Sequence, residues 1–115
     1  MSNPKVTVLM TIYKDKSYLK EAVDSILNQT FQNFEFLIVN EFGYDDGSVD
    51  ILKSYNDSRI RIIQNNVKKG FAASLNIGLA QARGEYIARM DGDDISAPDR
   101  LEKQVKYLDL HKNTG

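Results

Sequence analysis

Three aspartates follow a short apolar segment in the second half of the chain. The segment YIARM, residues 86–90, runs directly into Asp91, Asp93 and Asp94, and Pro98 follows them. Like charges this close repel one another and lose hydration when partly buried, so a cation or several backbone donors must compensate them. Mg²⁺ and Mn²⁺ prefer carboxylate oxygens and usually also keep waters and a substrate phosphate. The spacing therefore indicates a divalent metal site at Asp91 and Asp93.

A polar turn is the alternative interpretation of the same aspartates. Aspartates commonly bond to backbone amides in turns and cap helices. Asp94 fits this role because it lies nearest to the next predicted helix. A turn does not require the two further carboxylates of Asp91 and Asp93. An Asp-x-Asp pattern alone is a weak signal, so the elements that would position it have to be considered.

Composition limits the class of protein. The chain has 115 residues, a net charge of −1 and no cysteine, which suits one small domain without disulfides or thiolate metal sites. The charge balance predicts no binding to nucleic acid. No apolar run approaches the ~20 residues of a membrane span, and the start MSNPKVTVLM lacks the apolar stretch of a signal peptide. We therefore expect a cytoplasmic protein.

Strand-like and helix-like patterns alternate along the sequence. Apolar, β-branched runs predict strands at residues 6–10, 34–39, 60–63 and 86–90. Helical spacing of apolar residues predicts four helices between and after them. The first predicted helix covers residues 19–27, with Ser17 or Asp15 as its cap, and the second is a short helix from Ser48 that carries Ile51, Leu52 and Tyr55. The third covers residues 71–82, carries Leu75 and Leu79, and is ended by Gly84. The fourth is opened by Pro98 and carries Leu101, Val105 and Leu108.

This alternation predicts an α/β fold with a parallel sheet covered by helices on both faces. In such sheets ligands bind beyond the carboxyl ends of the strands, at the point where the strand order reverses. Thr11 and Tyr13 follow the first strand, Glu41 follows the second, and Asp91 and Asp93 follow the fourth. If these strands are neighbours, the polar residues meet at one edge of the sheet.

Two roles are open for several of these residues. Glu41 could accept a hydrogen bond from an N–H group of a ligand, and Tyr13 could either stack on a flat base or cover the edge of the core. Lys68 and Lys69 precede a predicted helix, where they could face a phosphate or lie in a solvated loop.

Longer motifs resemble a known family. The segment PKVTVLMTIYKDKSYLKEAVDSILNQTFQNFEFLIVN resembles the opening of family-2 glycosyltransferases, which are inverting enzymes with the Rossmann-like GT-A fold. GEYIARMDGDD followed by PDRLEKQV resembles the region of that family's D-x-D motif. The resemblance runs from about residue 4 to residue 110. It implies a three-layer α/β/α fold, a nucleotide-sugar donor that is often a UDP-sugar, and Mn²⁺ or Mg²⁺ as the cofactor.

The resemblance also implies roles for individual residues. Thr11 and Tyr13 match the base-binding end of the first strand, and Glu41 matches an acidic residue that contacts the base. Asp91 matches the first D-x-D aspartate, near the ribose and the metal, and Asp93 matches the second, which is the main metal ligand on the diphosphate.

The sequence departs from the family at several positions. Asn40 and Glu41 stand where two aspartates are common, and Thr11–Lys14 reads TIYK where Pro-Thr-Tyr-Asn is usual. Some relatives carry a basic residue near Gly70, a role that Lys69 could take here.

Length is the largest departure from the family. The catalytic domains of such enzymes are considerably longer, and their remaining part binds the acceptor and supplies the general base that an inverting transfer needs. We assign no catalytic residue in this chain, and we expect residues 1–115 to be the nucleotide-sugar-binding half of a glycosyltransferase domain. The resemblance favours a sugar or lipid-linked acceptor in bacterial surface polysaccharide synthesis, with membrane association at the inner face through other regions. An open sheet edge would allow pairing with a second copy.

Two further interpretations compete with this one. Phosphatases of the haloacid dehalogenase type also carry an Asp-x-Asp motif after a strand, with the first aspartate as nucleophile. In those enzymes the motif ends the first strand, whereas here it ends the fourth. A nucleotide-sugar-binding fragment without activity is the other alternative.

Overall fold

Strands and helices alternate through the chain, as the sequence predicts. The computed structural model describes residues 4–12, 16–40, 48–64, 71–91 and 95–111. The strands are β1 (Val6–Ile12), β2 (Phe34–Asn40), β3 (Ile60–Gln64) and β4 (Tyr86–Asp91). The helices are α1 (Lys16–Leu27), α2 (Ser48–Lys53), α3 (Phe71–Gln81) and α4 (Arg100–Leu110). None of these helices is long and apolar enough to cross a membrane.

The four described strands form one parallel sheet in the order β3-β2-β1-β4. β1 pairs with β2 on one edge and with β4 on the other, so that Val6 lies opposite both Phe34 and Tyr86. The chain moves outward from β1 to β3 and then returns to the other side of β1 for β4. The strand order therefore reverses between β1 and β4, and the predicted parallel sheet is confirmed.

The larger part of the core lies on the face of the sheet covered by α1, α2 and α4. The predicted apolar face of α1 is buried there, because Leu19, Ala22, Val23 and Ile26 are all 0% exposed. Fully burying one large aliphatic side chain contributes about 1.5–3 kcal/mol, so this face alone accounts for a large part of the docking of α1. The strand residues on this face are Val6, Val8, Met10, Ile12, Phe34, Phe36, Ile38, Ala88 and Met90.

The opposite face is covered by α3, which gives three layers. Leu9, Leu37 and Val39 form a small buried cluster there, and Leu75 of α3 packs against it. Gly78 is also buried against this cluster, which brings the axis of α3 close to the sheet. Leu79, which the helical pattern assigns to α3 beside Leu75, is 47% exposed.

A polar network joins the amino-terminal end of the sheet to the segment between α3 and β4. The Thr7 hydroxyl donates to the Glu35 carboxylate (2.6 Å) and accepts from the Gly84 N–H (2.8 Å). The Arg83 N–H also donates to Glu35 (2.6 Å), and the Arg61 guanidinium lies 3.4 Å from the same carboxylate. Glu35 is only 8% exposed, and these donors offset the loss of its hydration.

The prediction that Gly84 ends α3 is wrong. α3 already ends at Gln81, whereas Gly84 packs directly on the backbone of Val6 and Thr7. A glycine is needed at this position because a strand backbone occupies the space of a Cβ atom, a contact that the sequence of the helix does not reveal.

Two smaller helix predictions also differ from the structure. α1 begins at Lys16, so Ser17 lies inside the helix, and Asp15 lies outside the described residues. Tyr55 lies beyond the last residue of α2, where its hydroxyl donates to the Asp24 carboxylate of α1 (2.7 Å). Burial and this hydrogen bond raise the pKa of Tyr55. Tyr55 therefore joins α1 to the segment after α2 instead of extending α2.

We predict that Gly84→Ala destabilises the protein far more than Gly78→Ala. A Cβ atom at position 84 would overlap backbone atoms of Val6 and Thr7, and such overpacking costs about 1–3 kcal/mol. At position 78 the closest atom is the Cδ1 end of Leu9, which can rotate, and alanine gains about 0.5–1 kcal/mol over glycine inside a helix. Urea denaturation of both variants measures the difference. Equal losses of unfolding free energy would contradict the close approach at Gly84.

Candidate functional site

The carboxyl ends of β1 and β4 bring two predicted site residues together, and the end of β2 lies beside β1. Thr11 lies opposite Asp91 on β4 and opposite Val39 on β2, and Ile12 lies opposite Asn40. Thr11 is 6% and Asn40 is 3% exposed, so both belong to the buried part of this edge. The prediction that Thr11 and Asp91 are neighbours is confirmed, and they lie at the point where the strand order reverses.

The remaining predicted site residues lie outside the described part of the chain. They are Tyr13, Glu41, Lys69 and Asp93. Three of them follow the strand ends closely in sequence: Glu41 directly follows Asn40, and Tyr13 and Asp93 are near the last residues of β1 and β4. Their proposed contacts stay predictions.

The chemistry of this edge suits a hard divalent cation. The acidic residues at the end of β4, together with the hydroxyl of Thr11, offer oxygen atoms and no sulfur or imidazole nitrogen. Within the described ranges, no group of three or more His, Cys, Asp or Glu residues could hold a metal ion. Mg²⁺ and Mn²⁺ are commonly held by one or two carboxylates with substrate phosphates completing the shell, and Asp91 with Asp93 fits that pattern.

The chain after the aspartates is fixed to the end of α1. The Ser96 N–H donates to the Ser25 hydroxyl (3.0 Å), and the Thr30 N–H donates to the Pro98 carbonyl (2.9 Å). The Gln29 side-chain amide donates to the Ala97 carbonyl (2.6 Å). These bonds hold residues 95–98 against the segment between α1 and β2.

Pro98 lies in a turn before α4 and not in its first helical turn. The Arg100 N–H donates to the Ala97 carbonyl (3.1 Å), which closes a four-residue turn with Pro98 at its second position. Proline is favoured there because its φ angle suits that position. The helix starts at Arg100, so the prediction that Pro98 lies in the first turn of the helix is wrong by two residues.

Arg100 connects the two sides of the aspartate segment. Its guanidinium donates to the Arg89 carbonyl of β4 (2.9 Å) and to the Ser96 hydroxyl (3.0 Å). One side chain thus ties the strand before Asp91 to the chain after Asp94. Residues 89 and 96, which lie on either side of the aspartates in the sequence, are therefore joined through Arg100.

The shifted pKa values of the described residues belong to ion pairs and hydrogen bonds away from this edge. Hydrogen bonds to Glu85 and Asp109 raise the pKa of Lys5, at the amino-terminal end of β1. A hydrogen bond to Asp109 raises the pKa of Tyr86 to about 12. The Arg59 guanidinium lowers the pKa of Asp57 in the turn before β3. Lys5 and Tyr86 join the amino-terminal ends of β1 and β4 to α4 through Asp109, and the Asp57–Arg59 pair is local to its turn.

Comparison with known proteins assigns the family. Residues 7–115 match the family model described as glycosyl transferase family 2, and the chain belongs to this family. EpsE of Bacillus subtilis (strain 168), which is named as a glycosyltransferase, is 46% identical over 115 residues, covering 97% of this chain and 41% of EpsE. The chain thus spans less than half of that relative's length.

Solved glycosyltransferase structures share the fold. TarS of S. aureus (residues 1–349), solved in complex with UDP, superposes with a TM-score of 0.86 and 26% identity, covering 94% of this chain and 33% of that one. The mannosyltransferase PcManGT of Pyrobaculum calidifontis, solved with GDP-Man and Mn²⁺, superposes with a TM-score of 0.83 and 26% identity over 94% of this chain and 33% of that one. The implied family-2 glycosyltransferase fold is confirmed.

The sequence did not reveal the polar residues that hold residues 96–101 in place. Gln29 and Arg100 are polar residues near the ends of helices, where most such side chains are solvated. Nothing in their local pattern distinguishes them from surface residues. Their partners, at positions 97, 101 and 89, become neighbours only when the sheet and helices have packed.

Proposed function

We propose that this chain binds the nucleotide-sugar donor of an inverting glycosyltransferase, with a UDP-sugar as the donor and Mn²⁺ or Mg²⁺ as the cofactor. The observation that carries the proposal is the β1–β4 register, which sets Thr11 opposite Asp91 at the switch point of the sheet. Ligands of open α/β sheets bind at that point. Membership in the glycosyltransferase family supplies the chemical class.

The base end of the donor is assigned to residues that follow β1 and β2. Thr11 and Tyr13 would line the base, with the Tyr13 ring stacked on it, and Glu41 would accept a hydrogen bond from a base N–H. A uracil ring offers such an N–H, which supports UDP. The UDP complex of TarS, a structural relative, is further support.

The diphosphate end of the donor is assigned to the residues after β4. Asp91 would face the ribose and the metal, Asp93 would be the main metal ligand, and Lys69 would approach a phosphate from the start of α3. When bound, the cation neutralises the charge that develops on the diphosphate leaving group. The PcManGT complex with GDP-Man and Mn²⁺ supports the metal.

The acceptor half of the reaction is assigned to sequence outside this chain. An inverting transfer needs a base that removes the proton of the acceptor hydroxyl as it attacks the anomeric carbon. We assign no residue of residues 1–115 to that step. The proposed acceptor is a sugar or lipid-linked hydroxyl in bacterial surface polysaccharide synthesis, reached at the inner face of the membrane.

A non-catalytic nucleotide-sugar-binding unit is the second candidate. This chain corresponds to 41% of EpsE and 33% of TarS (residues 1–349), so similarity to these proteins does not assign their whole activity to residues 1–115. The family match leaves the phosphatase interpretation without support. Binding and turnover measurements on the same sample separate the two remaining candidates.

We predict that UDP binds more tightly with Mn²⁺ than with a chelator, and that Asp93→Asn removes this difference. The substitution takes away a charged metal ligand while relieving repulsion within the cluster, so the melting temperature of the metal-free protein should change little. Calorimetry and thermal melts measure both quantities. Asp99→Asn is the matched control, because Asp99 lies on the α4 side of the segment and pairs with Lys103 (3.1 Å). Equal UDP affinity with and without metal, or an Asp93→Asn variant that melts much earlier yet binds normally, would contradict the site.

We predict that the purified 115-residue chain does not transfer sugar at a useful rate. Loss of a positioned general base typically costs ~100- to 10,000-fold in rate, and the acceptor surface is assigned elsewhere. The measurement is release of UDP from UDP-sugars with sugar acceptors, corrected for donor hydrolysis. Robust transfer by this chain would contradict the assignment of residues 1–115 to donor binding alone.

A further inference from the structure

Gln29 is a buried polar side chain that joins three parts of the fold. It is 1% exposed. Its amide nitrogen donates to the Ser25 carbonyl at the end of α1 (2.9 Å) and to the Ala97 carbonyl (2.6 Å). Its amide oxygen accepts from the Leu101 N–H in the first turn of α4 (3.0 Å). Both N–H donors and the carbonyl of the side chain are therefore used.

The bond to Leu101 replaces a missing local helix cap. Asp99 occupies the cap position of α4, but its side chain makes no capping hydrogen bond. The first N–H groups of a helix have no partner within the helix and need an acceptor from elsewhere. Gln29 supplies that acceptor from a position 72 residues away in the sequence.

The bond to Ala97 anchors the chain that follows the D-x-D motif. On the upstream side, Asp91 is fixed by its pairing with Thr11 of β1. On the downstream side, residues 95–98 are held against the end of α1, and Gln29 is the buried member of that contact. The segment that contains Asp93 thus runs between one anchor in the sheet and a second anchor at Gln29.

We propose that Gln29 is a positioning residue for the proposed metal site: by fixing Ala97 and the first turn of α4, downstream of Asp93 in the sequence, it supports metal binding by Asp91 and Asp93. This inference rests on the proposed function. Groups that hydrogen-bond directly to metal ligands typically contribute 10- to 100-fold to metal affinity. Gln29 acts through the chain downstream of Asp93, so we expect an effect at the lower end of that range.

Two substitutions separate the anchor from the helix cap. Gln29→Glu keeps an oxygen that can accept from the Leu101 N–H, but as a carboxylate it has no hydrogen to donate to Ala97. Gln29→Met has a similar length and removes the hydrogen bonds to Ser25, Ala97 and Leu101. Below the pKa of the introduced carboxyl, Gln29→Glu regains one O–H donor that can reach the Ala97 carbonyl, whereas Gln29→Met regains nothing.

The experiment measures the affinity of each variant for Mn²⁺ in the presence of saturating UDP, and free Mn²⁺ is quantified by its electron paramagnetic resonance signal. Each measurement is made well below the melting temperature of that variant. Wild type, Gln29→Glu and Gln29→Met are compared across the pH range in which all three stay folded. Val105→Ala is the stability control, because it removes buried contacts of α4 farther along the helix. Arg100→Ala is a partly exposed second variant, which loosens the same anchor without altering the buried amide.

We expect both Gln29 variants to bind Mn²⁺ roughly 10-fold or more weakly than wild type at neutral pH. The deficit of Gln29→Glu relative to wild type should shrink as the pH falls, and that of Gln29→Met should not. Arg100→Ala should also weaken Mn²⁺ binding, while Val105→Ala should not.

Other results would overturn the inference. If folded Gln29 variants bind Mn²⁺ as tightly as wild type, Gln29 has only a structural role. The same conclusion holds if Val105→Ala melts at the same temperature as the Gln29 variants and loses as much Mn²⁺ affinity. If the Gln29 variants do not fold, wild-type affinity in Arg100→Ala would likewise overturn it. Failure of wild-type protein to bind Mn²⁺ with UDP would instead overturn the proposed function, and this inference with it.

Discussion

Strand β1 is hydrogen-bonded on both edges and covered on both faces, and the other elements are placed relative to it. All seven of its residues are buried, so its backbone groups need partners within the sheet, and β2 and β4 supply them. The side chains alternate between two cores, one under α1, α2 and α4 and one under α3. Because β1 is the first strand in the sequence and has a neighbour on each side, the strand order reverses at β1. The switch point therefore lies at the carboxyl ends of β1 and β4.

The charge of acidic residues is compensated differently at the two ends of this sheet. At the amino-terminal end, Glu35 is buried, and Thr7, Arg83 and Arg61 compensate its charge within the fold. At the carboxyl-terminal end, three aspartates are concentrated in four residues, and we propose that a cation and a diphosphate complete their environment. Glu35 is compensated by groups of the fold itself, whereas under our proposal the aspartates are compensated when a ligand binds.

The sequence predicted those parts of the fold that depend on local periodicity. The four strands, the buried face of α1 and the parallel arrangement follow from apolar runs and helical spacing, and the position of Thr11 beside Asp91 follows from the rule for open sheets. The failures involve contacts between distant segments. Gly84 is required by the backbone of β1, Pro98 belongs to a turn held by Thr30, and Leu79 is exposed because α3 approaches the sheet at Gly78. Gln29 could not have been recognised, because its partners belong to α4 and to the segment before it.

We propose that nucleotide and metal bind together at the carboxyl ends of β1 and β4. The most direct test is the paramagnetic broadening of backbone amide NMR signals by Mn²⁺ in the presence of UDP, with Mg²⁺ as the diamagnetic reference. We expect the amide signals of Thr11 and Asp91 to broaden strongly, whereas those of Val6 and Tyr86, at the other end of the same strands, stay sharp. Broadening centred on the amino-terminal end, or spread evenly over the sheet, would contradict it.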